Sequence, residues 1–212
     1  LVRLESGGGV VHGYGLAASQ LQRLRNAGIH LTVAIDKVAA SGGYMMACVA
    51  NEIVAAPFAI VGSIGVIAQI PNFHKILKKN DVDFEQITAG EYKRTLTIFG
   101  ENTDKGREKF KEEIEQTHGL FKTFVSEQRP SLDIDTVATG EHWFATQAFD
   151  KGLVDKIDTS DDILLSQAKE RQIYKVKYRI KKNLSDKLAV GLSSGVSKAG
   201  VSLMSRLKGL NP

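Results

Sequence analysis

Apolar and polar positions switch between two periods along this chain, and the switches mark its elements. The opening LVRLE alternates like a short strand and stops at three glycines. From His12 to Ala27, Leu16, Leu21 and Leu24 recur at roughly helical spacing, and Gly28 closes the segment. IHLTVAID (29–36) reads as a buried strand, and SGGYMMACVA (41–50) as a buried helix with Ser41 at its N-terminus. EIVAA (52–56) is a strand ended by Pro57, and SIGVIAQI (63–70) is expected to be another. NFHKILKKN (72–80) predicts a helix and VDFEQI (82–87) a further strand. A long connection of weak periodicity, TAGEYKRTLTIFGENTDKG, comes next; connections of this length are usually functional or disordered. A Thr103–Asp104 cap opens a charged helix to Arg129, with Phe110, Ile114, Leu120, Phe121 and Phe124 as its apolar stripe. Short helices and turns lead through EHWFATQAFDKGLVDKI to a short strand, and SDDILLSQAKER (160–171) is a last helix. Strands alternating with helices predict a layered α/β domain.

Composition changes this picture little. The chain has 212 residues, 42% hydrophobic and 25% charged, which suits one soluble domain with a sizeable core. No apolar run reaches the ~18 residues a membrane span needs, and no signal peptide opens the chain. LVRLESGGG reads as the middle of a strand, so an N-terminal part, with any signal or anchor, is expected to precede it. The single cysteine, Cys48, lies in an apolar run and is expected to be a small buried hydrophobe. Charge divides the chain more sharply. Residues 171–212 hold ten Lys and Arg against one acid, Asp186, on an otherwise mildly acidic body. The expected organisation is therefore a domain over 1–170 and a basic extension over 171–212. The end of that extension (183–212) reads as a mobile terminus, a segment docking on a neighbouring subunit, or a basic amphipathic stretch touching anionic lipid.

Four features can carry chemistry. ESGGG (5–9) can bring backbone N–H groups close to a ligand, because no Cβ obstructs a glycine turn. Ser41, followed by Gly42, reads as a helix cap, a phosphate-binding residue or a nucleophile. The residues before it, Ala39 and Ala40, depart from the G-x-S-x-G elbow. In VGSIGV (61–66), Ser63 is either a turn residue or a hydroxyl that orients a base. Lys93, in AGEYKRT, is an ordinary surface lysine unless burial favours its neutral form, which can then act as a general base. A Ser-His-Asp arrangement has five histidines to draw on. His12 follows the glycine turn, His30 is expected to be structural in its strand, His118 solvated on its helix, and His74 is the best placed in sequence; His142 is the fifth.

The order of these pieces resembles the signal peptide peptidase A family, serine peptidases with a Ser-Lys dyad on a ClpP/crotonase-type fold of repeated ββα units. The resemblance rests on the glycine turn, Ser-Gly-Gly-Tyr on a helix, Gly-Ser-Ile-Gly-Val, and Gly-x-Tyr-Lys-Arg with its lysine 52 residues after Ser41. The later WFATQAFDKGLVD matches the family's Trp-x-x-x-x-Ala-x-x-x-Gly-Leu-Val-Asp block, so the resemblance covers residues 1 to about 170. It implies Ser41 as nucleophile, Lys93 as general base and Ser63 as the hydroxyl that helps hold the amine. It implies oxyanion donors at Gly42 and at Gly9 or Gly8. One departure is Ser6-Gly7-Gly8-Gly9, where the family usually has Ser-Pro-Gly-Gly.

The implied activity is hydrolysis of peptide bonds, in cleaved signal peptides or in misfolded and membrane-associated polypeptides. No cofactor, metal or nucleic acid is implied. The implied partners are a peptide substrate and further copies of the chain, with sites built between subunits so that Lys93 acts in its own chain or in a neighbour's. The implied setting is the bacterial inner membrane, reached through the preceding segment, with the domain on its periplasmic, extracytoplasmic side. The mechanism expects Lys93 to be buried. Ala39, Ala40, Met45, Met46, Ile64 and Val66 are expected either to line a pocket for small or apolar side chains or to be core. Two other readings stand beside this one: a crotonase-type acyl-CoA enzyme using Glu52 and Glu91, and a non-catalytic scaffold for membrane proteases.

Overall fold

Two sheets grow side by side from successive stretches of the chain. The computed structural model describes residues 1–178. In order it forms β1 (Val2–Arg3), α1 (Val11–Asn26), β2 (Thr32–Ile35), β3 (Val38–Ala40), α2 (Gly42–Ala47), β4 (Glu52–Ala55) and β5 (Ile60–Gly62). There follow α3 (His74–Lys79), α4 (Asp104–Gln128), α5 (Ile134–Val137), β6 (His142–Phe144), α6 (Ala145–Asp150), β7 (Lys156–Ile157) and α7 (Ser160–Gln167). The first sheet runs β1-β2-β4-β7, parallel throughout; the second runs β3-β5-β6, with β6 antiparallel. A parallel bridge from Ser6 to Ala39 extends the second sheet. Each of the pairs β2–β3, β4–β5 and β6–β7 thus gives one strand to either sheet. This is the layered α/β domain that the apolar pattern predicted, in the repeated ββα units that the family resemblance implied. Leu1–Arg171 is one unit and Gln172–Pro212 a second; the expected basic extension lies, beyond residue 178, outside the described residues.

Strands β2 to β5 are short and buried on both faces, which is why they read as apolar runs. Val33, Ile35, Ile53 and Val61 are wholly enclosed, and α2 lies among them with Tyr44 and Ala47, and Cys48 just past its end, at zero exposure. The buried Tyr44 hydroxyl donates to the Leu153 carbonyl at 3.0 Å, so its polar end is satisfied. Burial pushes the Cys48 thiol up to about 12, which keeps it a protonated, inert hydrophobe. The Thr103 side chain caps α4 by accepting the Gly106 N–H, and Phe121 and Val125 bury that helix.

Three expectations fail here. Residues 63–70 are not a strand: β5 ends at Gly62, and Ser63 takes φ 53°, which breaks the extended path. Ile67 is left 80% exposed. Among the described residues, 82–87 find no partner strand; Phe84 meets Phe99 instead, at 5.7 Å between ring centroids, and Ile87 lies open. Leu120 points away from the α4 stripe and is 73% exposed.

Two carboxylates lock the ends of the first sheet. Asp155 pairs with Arg129 and accepts the Ile53 N–H at 2.7 Å; Asp36 accepts both the N–H and the hydroxyl of Ser160, and pairs with Arg3. Burial alone would raise both pKa values. The Arg129 and Ile53 bonds outweigh it at Asp155, and the Ser160 and then Arg3 bonds at Asp36, so both are held below the ordinary range. A depressed carboxylate contributes stability that is complete above its unfolded pKa of about 3.9 and is lost as pH falls through the folded value. The melting temperature is therefore expected to hold to about pH 4 and to decline below it. Asp36→Asn and Asp155→Asn should each lower the neutral-pH melting temperature by a few degrees and flatten the acid limb, as read by circular dichroism. An unchanged acid limb in the double variant would show that other groups govern it.

Candidate active site

The strand β3 turns into α2 through one residue, Ser41, held at φ 53° and ψ −121°. This backbone region is costly for anything but glycine, and such strain persists only where the surroundings enforce it. Here they do. The Ser41 N–H donates to the Gly62 carbonyl at 2.8 Å, and its carbonyl accepts the Met45 N–H at 3.0 Å. Its side chain makes no capping bond to α2. Ser41 is half-buried, so the hydroxyl is both free and reachable. In geometry this is a strained strand-to-helix elbow, although the residues before it departed from the elbow's sequence pattern.

The glycine turn lies directly against this serine. Gly8 takes φ +94°, and a Cβ there would fall 2.7 Å from the Ser41 Cβ and 2.9 Å from the Gly42 nitrogen. Ser6, where the turn begins, is tied to β3 by backbone bonds from its N–H to the Val38 carbonyl and from the Ala40 N–H to its carbonyl. The Gly8 N–H faces the Ser6 hydroxyl at 3.3 Å. Among the described residues, the N–H groups of Gly9 and Gly42 have no hydrogen-bond partner.

Ser63 is the neighbour of Ser41 across the sheet, because β3 and β5 pair in parallel with Ala40 opposite Gly62. It shares the same φ of 53°. Its N–H donates to the Glu141 carbonyl at 2.6 Å, and the next carbonyl, of Ile64, accepts from Gly140 N–H and from His118 Nε2. His118 is thus half-buried and engaged, not solvated as expected; α4 packs where it would have met water. His30 is exposed ahead of β2 and His12 exposed on α1, while His74 is half-buried in the wall of a separate cavity of about 590 Å³ with Asp81, Phe84 and Glu101.

Lys93 differs from its expectation. It is exposed, in a stretch without regular structure, and lines an open 410 Å³ cavity with Gln86–Ala89 and Arg94. Among the described residues no hydrogen bond joins its side chain to Ser41 or Ser63. The chain thus gathers Ser41, Gly8, Gly9, Gly42 and Ser63 and leaves Lys93 outside the group. Of the expected pocket, Ala39, Ala40, Met45 and Ile64 are core, and only Met46 and Val66 are partly open. The carboxylates of the acyl-CoA reading are engaged elsewhere: Glu52 accepts from Thr32 on the first sheet, and Glu91 pairs with Lys105.

Sequence reading missed Tyr14. Its ring lies over Gly42 and its hydroxyl bonds Ser6 at 2.7 Å. The one available signal was its place just after the glycine turn.

The model of peptidase family S49 matches residues 23–174, and that of the N-terminal part of the same family matches residues 1–21. The chain belongs to peptidase family S49. Among curated proteins, "Probable protease SohB" of Haemophilus influenzae is 66% identical over 187 residues, 88% of this chain and 53% of the relative. "Probable protease SohB" of Buchnera aphidicola subsp. Acyrthosiphon pisum is 59% identical over 198 residues, 93% of this chain and 59% of the relative. The chain spans about half the length of these curated relatives. Among solved structures, an enoyl-CoA hydratase/isomerase from Marinobacter aquaeolei gives a TM-score of 0.40 at 15% identity, over 98% of this chain and 71% of that one.

Proposed function

We propose that this S49 domain is a serine endopeptidase core working through a Ser41–Lys93 dyad. The observation that carries the reading is Ser41 itself: a serine forced into a strained elbow, relieved of helix capping and faced by a glycine turn. The Lys93 amine takes the Ser41 proton while the Ser41 oxygen attacks the scissile carbonyl. The oxyanion is met by the N–H groups of Gly42 and Gly9, since that of Gly8 is turned to Ser6. The lysine's proton passes to the leaving amine, and water then hydrolyses the acyl-enzyme. Ser63, beside Ser41 in register, helps hold the amine.

The lysine comes from a neighbouring copy of the chain. Two features support this: Lys93 is exposed in its own chain, and the stretch that carries it displays Ile67, Ile76, Val82 and Ile87, which assembly would cover. Met46 and Val66, partly open and near Ser41 and Ser63 in the chain, suit apolar side chains, hence cleaved signal peptides or misfolded and membrane-associated polypeptides as substrates. The family resemblance supports an extracytoplasmic position at the bacterial inner membrane. Among the described residues no helix is long and apolar enough to cross a membrane.

The test is complementation. Ser41→Ala and Lys93→Ala chains are each inactive on a fluorogenic apolar peptide, and co-assembled they recover on the order of a quarter of wild-type activity, because some sites combine an intact serine with an intact lysine. No recovery from a verified mixed assembly would place the lysine in its own chain. A serine-directed acylating probe should modify wild type at Ser41; an unlabelled Ser41 would remove the nucleophile.

A further inference from the structure

One aromatic ring touches both backbone segments that are proposed to hold the oxyanion. Tyr14 sits in the first turn of α1, half-buried, with its N–H bonded to the Val10 carbonyl. A Cβ on Gly42 would clash with the face of its ring over Cγ, 2.7 Å from Cδ2 and 2.8 Å from Cδ1, and a Cβ on Gly9 would fall 2.9 Å from Cε2. The ring therefore lies flat on α2 at Gly42 and presents its edge to the glycine turn at Gly9. Its hydroxyl reaches Ser6 Oγ at 2.7 Å, and that same oxygen faces the Gly8 N–H at 3.3 Å.

These contacts make sense of two glycines that no turn requires. Neither Gly9 nor Gly42 has a positive φ, so backbone freedom does not explain them; the ring does, because any side chain there would displace it. The turn itself carries Gly7, Gly8 and Gly9 in sequence and has little stiffness of its own. A flexible turn cannot hold an N–H to the few tenths of an ångström that transition-state stabilisation needs. Something rigid must set its distance from α2.

We infer that Tyr14 is a positioning residue for the oxyanion site: its ring is the spacer between the Gly9 and Gly42 N–H groups, and its hydroxyl anchors the turn through Ser6. This rests on the Ser41 reading and adds to it the device that sets the donor pair. Tyr14 itself touches no reacting atom in this scheme. The ring is the main part, and the hydroxyl adjusts it.

The experiment compares Tyr14→Phe, Tyr14→Leu and Ser6→Ala with wild type, in the assembled protein. Three quantities are read: kcat and KM on a fluorogenic peptide, binding of a peptide boronate that presents a tetrahedral oxyanion mimic, and the melting temperature. Tyr14→Phe and Ser6→Ala should lower kcat by no more than about threefold. Tyr14→Leu should lower kcat by about a hundredfold and weaken the boronate by a similar factor, with KM within about threefold of wild type, since ground-state binding does not need the hole. Full rescue by phenylalanine separates the ring from the hydroxyl. Wild-type kcat in Tyr14→Leu overturns the inference. So does a kcat loss accompanied by unfolding at the assay temperature while boronate affinity of the folded fraction is unchanged. The amide resonances of Gly9 and Gly42 give a reading that needs no catalysis: both should shift in Tyr14→Leu and hold in Tyr14→Phe, and unshifted resonances overturn the spacer role. If wild type shows no Ser41-dependent turnover while these resonances still move together, the peptidase reading has failed and the spacer geometry stands.

Discussion

Ser41→Ala is expected to remove peptide hydrolysis, by at least about 10⁴-fold in kcat, while leaving the melting temperature within a degree or two of wild type. The asymmetry is the point. An ordinary capping serine contributes about 1 kcal/mol to its helix, and its loss would show as a drop in stability. Ser41 makes no such bond, and alanine at φ 53° bears the same backbone strain as serine. The substitution therefore deletes one oxygen and little else. Lys93→Ala should behave alike, because Lys93 is exposed and its removal leaves no cavity. Steady-state hydrolysis of an apolar peptide and a thermal melt on the same preparations check both halves. Retained activity in Lys93→Ala with loss in His74→Ala would move the base to the histidine. A stability loss in Ser41→Ala large enough to explain its inactivity would return Ser41 to a structural role.

Much of the arrangement was legible because it is local. The apolar runs at 29–36 and 52–56 became β2 and β4, and the Thr103 cap fell at the start of α4. The motifs carrying Ser41, Ser63 and the glycine turn fell where β3, β5 and the first segment converge, because parallel pairing stacks the ends of successive units. What failed was whatever depends on a partner. SIGVIAQI and VDFEQI have strand composition, yet among the described residues no neighbour offers them a ladder, so they stay irregular with apolar side chains outward. Lys93 lies in the same stretch, and its burial fails for the same reason. His118 and Tyr14 were missed for another. Their roles come from what packs over them, the Ile64 carbonyl and the glycines, at separations that no spacing rule encodes. The strain at Ser41 was also invisible, because it is imposed by Gly62 and Gly8 from other segments.

Gly43→Ala is expected to be the most damaging single methyl in the site. Gly43 is buried in the first turn of α2, two residues past Ser41, where an elbow needs its second small residue. A Cβ there would overlap the Ser6 carbonyl oxygen and lie 3.1 Å from its carbonyl carbon. Neither side can give way cheaply. The Ser6 carbonyl accepts the Ala40 N–H at 3.0 Å and its N–H is bonded to Val38, so the segment is fixed to β3. Helix α2 is enclosed by Tyr44, Met45 and Ala47 in the core. Relief requires either breaking the Ser6–Ala40 bond or tilting α2, and both displace the turn that faces Ser41. Overpacking of this kind costs about 3 kcal/mol, which for a domain of this size lowers the melting temperature by roughly 6–12 °C. Activity should fall with it, by about a hundredfold even well below the melting point, because the Gly9 N–H moves with Ser6. Gly13→Ala is the control: a Cβ there meets nothing within 4 Å, and alanine favours the helix, so stability should hold or rise. If Gly43→Ala melts like wild type and keeps its kcat, the first segment is not clamped to α2 as described, and the donor at Gly9 loses its support.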